Sequence, residues 1–159
     1  MIELKLLVLL IIANGAPILT SYLMGKRWGF PLDAGLLFVD GQPLLGQSKT
    51  LRGVLCSIAL TGAAAPLLGL TINQGCNLAA LSMLGDLLSS FVKRRLKLKP
   101  SSMMLGLDQV PESLLPLLLL KDPLGLTWPG IARAVVLFLV LELVLSRLLF
   151  RLRIRKTPY

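Results

Sequence analysis

The sequence predicts an all-α integral membrane protein, one domain over residues 1–159 with five transmembrane helices, its N-terminus outside and its C-terminus cytoplasmic. Three observations carry this reading. The 159 residues are 55% hydrophobic and only 16% charged, whereas a soluble domain carries about a quarter charged residues. The apolar residues gather in runs long enough to cross a bilayer as helices. The net charge of +9, from 17 Lys and Arg against 8 Asp and Glu, is concentrated in segments that alternate with those runs.

The first span is placed at 6–24. A signal peptide competes for this segment, but Asn14, Gly15 and Pro17 interrupt its middle, and no basic leader with a small-residue cleavage site is evident. Asn14 in mid-membrane is expected to face protein or a polar cavity. The second span, 53–72, is rich in Gly and Ala, as close helix packing requires. The third, 77–92, is short and carries Asp86. The fourth, 106–120, contains Asp108, Pro111, Glu112 and Pro116, and the fifth, 131–150, holds Glu142, with Arg147 near enough to its end to snorkel.

Positive charges orient the chain, because cytoplasmic loops retain Lys and Arg. The 25–52 loop holds Lys26, Arg27, Lys49 and Arg52; the 93–105 loop holds Lys93, Arg94, Arg95, Lys97 and Lys99; the tail holds Arg151, Arg153, Arg155 and Lys156. Lys5 and Lys121 stand on the opposite side. Without the fourth span the tail and the 93–105 cluster would fall on opposite faces, so the asymmetry supports that span.

The absence of histidine removes Ser-His-Asp hydrolysis, histidine phosphoryl relays and the common zinc sites. Chemistry is left to carboxylates, amines, hydroxyls or a metal held by oxygen. Cys56 and Cys76, about 30 Å apart along a continuous helix, are expected to be unpaired.

The polar residues inside or beside the spans need a reason. Asp86, Ser89, Ser90 and Lys93 stand at offsets of three, four and seven, on one helix face that leads into the basic cluster. The plain explanation is an Asp86–Lys93 pair that solvates a helix end. Asp108 and Glu112, four apart, share a face if Pro111 lies in the first helical turn, and the plain explanation there is stabilisation of a helix N-terminus. Together the three acids form a hard-oxygen set near one membrane surface, suited to Mg²⁺, which usually takes one or two carboxylates plus substrate phosphates. Lys93, Arg94, Arg95, Lys97 and Lys99 serve as a topology signal and anionic-lipid contact if taken alone; beside carboxylates they make what a polyphosphate site needs. The Gly46-Gln47-Ser48-Lys49-Thr50 stretch lacks the spacing of a Walker loop.

The stretch Gly85-Asp86-Leu87-Leu88-Ser89-Ser90-Phe91-Val92-Lys93-Arg94-Arg95, then Leu107-Asp108-Gln109, with the earlier Asp40-Gly41 and Gly46 through Gly53, resembles the CDP-archaeol synthase family. These are small five-span membrane cytidylyltransferases related to the larger CDP-diacylglycerol synthases. The resemblance implies Mg²⁺-dependent transfer of CMP from CTP to a membrane lipid phosphate, a prenylated glycerol phosphate or a phosphatidate-like acceptor, at the cytoplasmic side of the cell membrane. It implies catalytic roles for Asp86, Lys93 and Asp108 and metal-binding roles for Asp86, Asp108 and Glu112. Lys49, Thr50, Arg52, Ser90, Arg94 and Arg95 would bind nucleotide or phosphate. Membrane lipids are the expected surroundings, and no nucleic acid is expected. One departure stands out: the family commonly reads LDQLD, whereas this chain has Leu107-Asp108-Gln109-Val110-Pro111-Glu112, with the second acid displaced by one residue.

The alternative is a small transporter or non-catalytic membrane subunit with Asp86 lining a polar pathway. It requires polar groups spread toward both faces, and here they concentrate on the cytoplasmic side, Asn14 and Glu142 excepted. The CDP-alcohol phosphotransferases need a D-G-x2-A-R signature, which Asp40-Gly41-Gln42-Pro43-Leu44-Leu45 does not supply.

Overall fold

Thr50, Thr71 and Thr127 each precede an apolar run, and a threonine there can accept a hydrogen bond from the otherwise unpaired N–H groups of a first helical turn. In the computed structural model, which describes residues 2–25, 27–98, 102 and 104–154, all three do so. Thr50 Oγ1 accepts from Gly53 N (3.3 Å) and Thr127 Oγ1 from Gly130 N (3.2 Å). Thr71 and Gln74 form a reciprocal capping box. The helices are α1 (Ile2–Met24), α2 (Leu51–Ala64, continued by a 3-10 turn at Ala65–Leu68), α3 (Ile72–Arg95), α4 (Gln109–Leu119) and α5 (Trp128–Arg151).

The fold is all-helical among the described residues, and three helical segments, Ile2–Met24, Leu51–Leu68 and Ile72–Arg95, are long and apolar enough to cross a membrane. α5 has 24 residues. The fourth span is where structure and sequence reading part. α4 has 11 residues, about 16 Å at 1.5 Å per residue, roughly half a hydrocarbon core. Turns occupy 105–108 and 120–125 instead of further helix. α3 departs in the other direction. It runs past the 77–92 window, so Lys93, Arg94 and Arg95 form its last turn and do not open a loop. Hydropathy ends where charge begins, but cations favour a helix C-terminus and the backbone ladder continues through them. Lys26, Lys99, Arg155 and Lys156 lie outside the described residues.

Consecutive helices pack side by side, α1 with α2, α2 with α3, α3 with α4 and α4 with α5; α1 also packs on α3 and α5. Small residues set these crossings. A Cβ on Gly75 would stand 2.6 Å from Ala65 Cβ and 2.7 Å from Thr61 O, and one on Gly62 2.5 Å from Cys76 Sγ, so α2 and α3 meet at backbone distance. Pro17 in α1 cannot donate to the carbonyl of Ala13; Ser57 Oγ of α2 donates to it instead, at 2.7 Å. Asn14 Nδ2 donates to Leu10 O (2.9 Å) and to Ser82 Oγ of α3 (3.0 Å), the protein-facing environment expected of it. Cys56 and Cys76 are both free.

The apolar core occupies the end of the bundle that holds the N-terminus. Leu6, Leu9 and Leu10 of α1 pack there with Leu78, Leu117, Leu126, Ile131, Ala134 and Phe138. Glu3 and Arg133 pair at that end (2.7 Å), adding Arg133 to its basic residues. Toward the opposite end, which carries the 25–50 loop, the buried residues become polar: Ser89, Ser90, Lys93, Arg94, Gln109, Glu112, Ser113 and Ser146.

Candidate active site

The turn from core to polar interior begins at Gly85. A Cβ there would overlap the Pro111 carbonyl and stand 2.8 Å from Glu112 N. Only a glycine lets the first turn of α4 lie on the α3 backbone. Pro111 falls in that first turn, where its missing N–H is harmless. The crossing puts Asp108 and Glu112 of α4 against Asp86 and Lys93 of α3. The second acid, displaced by one residue in sequence, thereby faces Asp86, and the two side chains are within hydrogen-bonding reach of each other.

The fourth side of the site is the 25–50 loop, folded on Asp33. This aspartate is 5% exposed and accepts hydrogen bonds from Gly35 N (3.1 Å), Leu45 N (2.9 Å) and Gly46 N (2.8 Å). Burial alone would raise its pKa, but the Gly46, Leu45 and Gly35 amides outweigh that and hold it below the ordinary carboxylate value. Leu32 N donates to Lys49 O (2.8 Å) and Leu51 N to Phe30 O (3.1 Å). The loop thus delivers Lys49 to α3, where its Nζ meets both Asp86 oxygens at 2.6 and 2.5 Å. Burial works against the Lys49 ammonium, yet Asp86, then Glu112, more than offset it, so its pKa lies above the ordinary lysine value.

Around these pairs lies a cavity of about 1120 Å³, larger than the roughly 300–1,000 Å³ usual for one small ligand. Two reactants therefore have room to meet in it. Lys49, Thr50 and Arg52 line it from the loop and the start of α2, Asp86, Ser90, Lys93 and Arg94 from α3, and Asp108 and Glu112 from α4. Arg95 does not. Its guanidinium stacks 4.5 Å from the Phe38 ring and 4.8 Å from Phe91, and binds Asp40 Oδ1 (2.9 Å) and Pro43 O (2.6 Å). Being next to Arg94, it leaves the helix about 100° further round. It clamps the loop and does not line the site. Thr50 and Arg52 have structural tasks as well: Thr50 caps α2, and Arg52 holds the carbonyls of Gly25 (2.6 Å) and Arg27 at the end of α1.

Lys93 Nζ lies 2.6 Å from Asp108 Oδ1 and donates to Ser102 O at 3.0 Å. The Asp108 Oδ1 contact is ionic, outside hydrogen-bond geometry, on an otherwise buried oxygen. That oxygen and the facing Asp86 and Glu112 carboxyls are hard oxygen donors, the class that small divalent cations take. Among the described residues no three acids, cysteines or histidines already stand as a coordination shell. The sequence reading missed Asp33, which an Asx turn at Asp33-Ala34-Gly35 signals, and the α5 residues Glu142 and Ser146, which line the cavity with Leu143. Mid-span acidity was the signal for Glu142.

Comparison with known proteins follows the same outline. The sequence model of the CarS-like family, CDP-archaeol synthase, matches residues 67–159. A CDP-archaeol synthase of Pyrobaculum calidifontis is 34% identical over 157 residues, covering 93% of this chain and 91% of that protein. One from Thermofilum pendens is 41% identical over 108 residues, covering 62% of this chain and 51% of that protein, so the match spans about half of the relative's length. A solved structure, described as an intramembrane enzyme for archaeal membrane lipids biosynthesis, superposes with a TM-score of 0.72 at 30% identity over 87% of this chain and 91% of that one.

Proposed function

The chain belongs to the CDP-archaeol synthase family, a family of CTP-using cytidylyltransferases, and from that premise we propose that it transfers CMP from CTP to a membrane lipid phosphate, forming a CDP-lipid and releasing pyrophosphate. The resemblance carried by Gly85–Arg95 and Leu107–Gln109 is thereby borne out. One observation supports the activity above the rest: Lys49, Lys93 and Arg94 converge with Asp86, Asp108 and Glu112 on one cavity beside membrane-length helices.

In this reading an oxygen of the lipid phosphate attacks the α-phosphorus of CTP, the bond to the β-phosphate oxygen breaks, and pyrophosphate leaves with that electron pair. No enzyme nucleophile is needed. The protein positions two polyanions and offsets the charge that develops on the leaving group. Lys49 and Lys93, held by Asp86 and Asp108, are preorganised for the phosphates, with Arg94, Ser90, Thr50 and Arg52 around them. Asp86, Glu112 and Asp108 would hold Mg²⁺, which supplies further charge neutralisation at the triphosphate. The acceptor's chains would enter sideways. α1 and α5 bury their last core residues at Ala16 and Phe138, apart from Thr20 and Ser146, and expose Tyr22, Leu23, Val140, Val144 and Leu148 beyond them.

We place the loop end at the cytoplasmic surface, with the N-terminus outside. Lys49, Arg52, Lys93, Arg94, Arg95, Lys97, Arg151 and Arg153 lie at that end, against Lys5, Lys121 and Arg133 at the other. The four long helical segments would cross the bilayer. The remaining passage, between α3 and α5, would be made by α4 together with the turns on either side of it, the helix itself covering about half of the hydrocarbon depth. A transport pathway would need polar groups continuing to the N-terminal end, where the leucine-rich core lies instead. The test is CDP-lipid formation and pyrophosphate release from labelled CTP by purified protein in detergent, across a panel of lipid phosphates. Stoichiometric CDP-lipid and pyrophosphate are expected with at least one acceptor, and none with any acceptor overturns the reading.

A further inference from the structure

At the loop end three helices finish on a left-handed residue: Gly25 after α1 (φ 55°), Lys97 after α3 (φ 56°) and Arg153 after α5 (φ 59°). Glycine is the usual occupant, and a side chain there is crowded against the following carbonyl oxygen. The α3 and α5 ends are built alike. Lys97 N donates to Arg94 O and Leu98 N to Lys93 O, both at 3.0 Å; Arg153 N donates to Phe150 O and Ile154 N to Leu149 O, both at 2.9 Å. Attraction of a cation to a helix C-terminus applies equally to both, so it cannot distinguish them.

What distinguishes them is where the turn sends the chain. Arg153 and Ile154 line the same cavity as Lys49, Asp86 and Lys93, whereas Lys97 does not. Most cations of that cavity are already engaged. Lys49 is bound to Asp86 and Lys93 to Asp108, and Arg52 is held by the carbonyls at the end of α1. Among the described residues the Arg153 side chain has no ion pair, and it stands exposed on the rim. A triphosphate and a lipid phosphate entering together bring more negative charge than the engaged lysines neutralise. A guanidinium fits a phosphate group with paired donors.

We propose that Arg153 is a further phosphate-binding residue of this site, brought to its rim by the left-handed turn that ends α5. The proposal rests on the cytidylyl-transfer reading and assigns a role to a residue that otherwise only marks topology. The phosphate it meets belongs either to CTP or to the lipid acceptor, and the two arms of the test separate them.

The experiment measures kcat and both KM values in detergent, CTP at saturating lipid phosphate and the reverse, for wild type, Arg153→Gly, Arg153→Ala, Arg153→Lys and Lys97→Gly. Glycine keeps the left-handed turn and removes only the cation. Arg153→Gly is expected to raise one KM by about 3- to 10-fold, less than a buried charged hydrogen bond would give because the contact is exposed and screened. Arg153→Lys should recover most of that loss, and Lys97→Gly should leave both KM values unchanged. A raised CTP value assigns the contact to the nucleotide, a raised lipid value to the acceptor. The inference is overturned if Arg153→Gly leaves both KM values within about twofold of wild type, or if glycine recovers what alanine loses. A wild type that forms no CDP-lipid overturns the underlying reading together with it; an active wild type with an unaffected Arg153→Gly overturns this inference alone.

Discussion

The two halves of the bundle are built from the same helices by opposite means. Near the N-terminus, Leu6, Leu10, Ile131 and Phe138 interlock in an apolar cluster that holds α1 and α5 together. Near the loop, residues of the same two helices line the cavity, and Lys49–Asp86 and Lys93–Asp108 occupy the interior. Partly buried ion pairs add little net stability once desolvation is counted. They persist here because the apolar half fixes the helices and leaves the polar half free to be arranged for phosphate. Stability and chemistry are thus assigned to different depths of one structure.

That division can be broken from either side, and the expected effects fall in order. Complete removal of divalent ions should reduce CMP transfer to background, with activity restored by Mg²⁺ or Mn²⁺; full turnover in chelator would sink the assignment of Asp86, Asp108 and Glu112. Next, Asp86→Asn or Asp108→Asn should lower kcat by about 10²- to 10³-fold, the usual cost of losing one preorganised electrostatic contact. The thermal unfolding temperature in detergent should fall as well, though without loss of the fold, since each variant leaves Lys49 or Lys93 without its counter-charge while the apolar half is untouched. Gly85→Ala sits on the border between the halves. Its methyl would collide with the α4 backbone at Pro111, so it should damage turnover and thermal stability together, and a variant with normal values for both would show that α4 does not need this notch.

From the apolar side, Phe138→Ala should cost about 1–3 kcal/mol of stability, below the roughly 3–5 kcal/mol of a soluble core because lipid can replace part of the lost contact. Both KM values should remain near wild type, and a strong KM effect would mean that the halves are not separable. The smallest effect concerns the loop. The Asp33 pKa is lowered in the folded loop, so its contribution is complete above the unfolded value of about 3.9 and fades as pH falls through the folded one. Amide exchange protection at Leu45 and Gly46 should be flat between about pH 5 and 8 and decline in acid, and Asp33→Ala should remove that acid dependence.

Much of this was legible in the chain. Apolar runs announced the long helices, and the spacing of Asp86, Ser90 and Lys93 showed one polar face; the starts at Leu51, Ile72 and Trp128, set by threonine caps, lie before the windows at 53, 77 and 131. α4 is shorter than the 106–120 window, with turns at its ends, because Pro111, Glu112 and Pro116 do not by themselves say how far the helix extends. Where its first turn rests is decided by the Gly85 notch, a contact between residues far apart in the chain. Arg95 was misread for a related reason. In a run of five cations every member looks alike, and only the placement of Phe38 and Asp40 draws this one away from the cavity beside its neighbour Arg94.

The sequence alone determined the solvent in which this protein folds, the number of helices and the family to which it belongs, because hydrophobic periodicity, caps and short motifs are local properties. The tertiary structure decided which charges meet. Lys49 with Asp86, Lys93 with Asp108 and Arg153 at the cavity rim depend on helix crossing, loop folding and a left-handed turn, and those are settled by packing between segments that the linear order does not bring together.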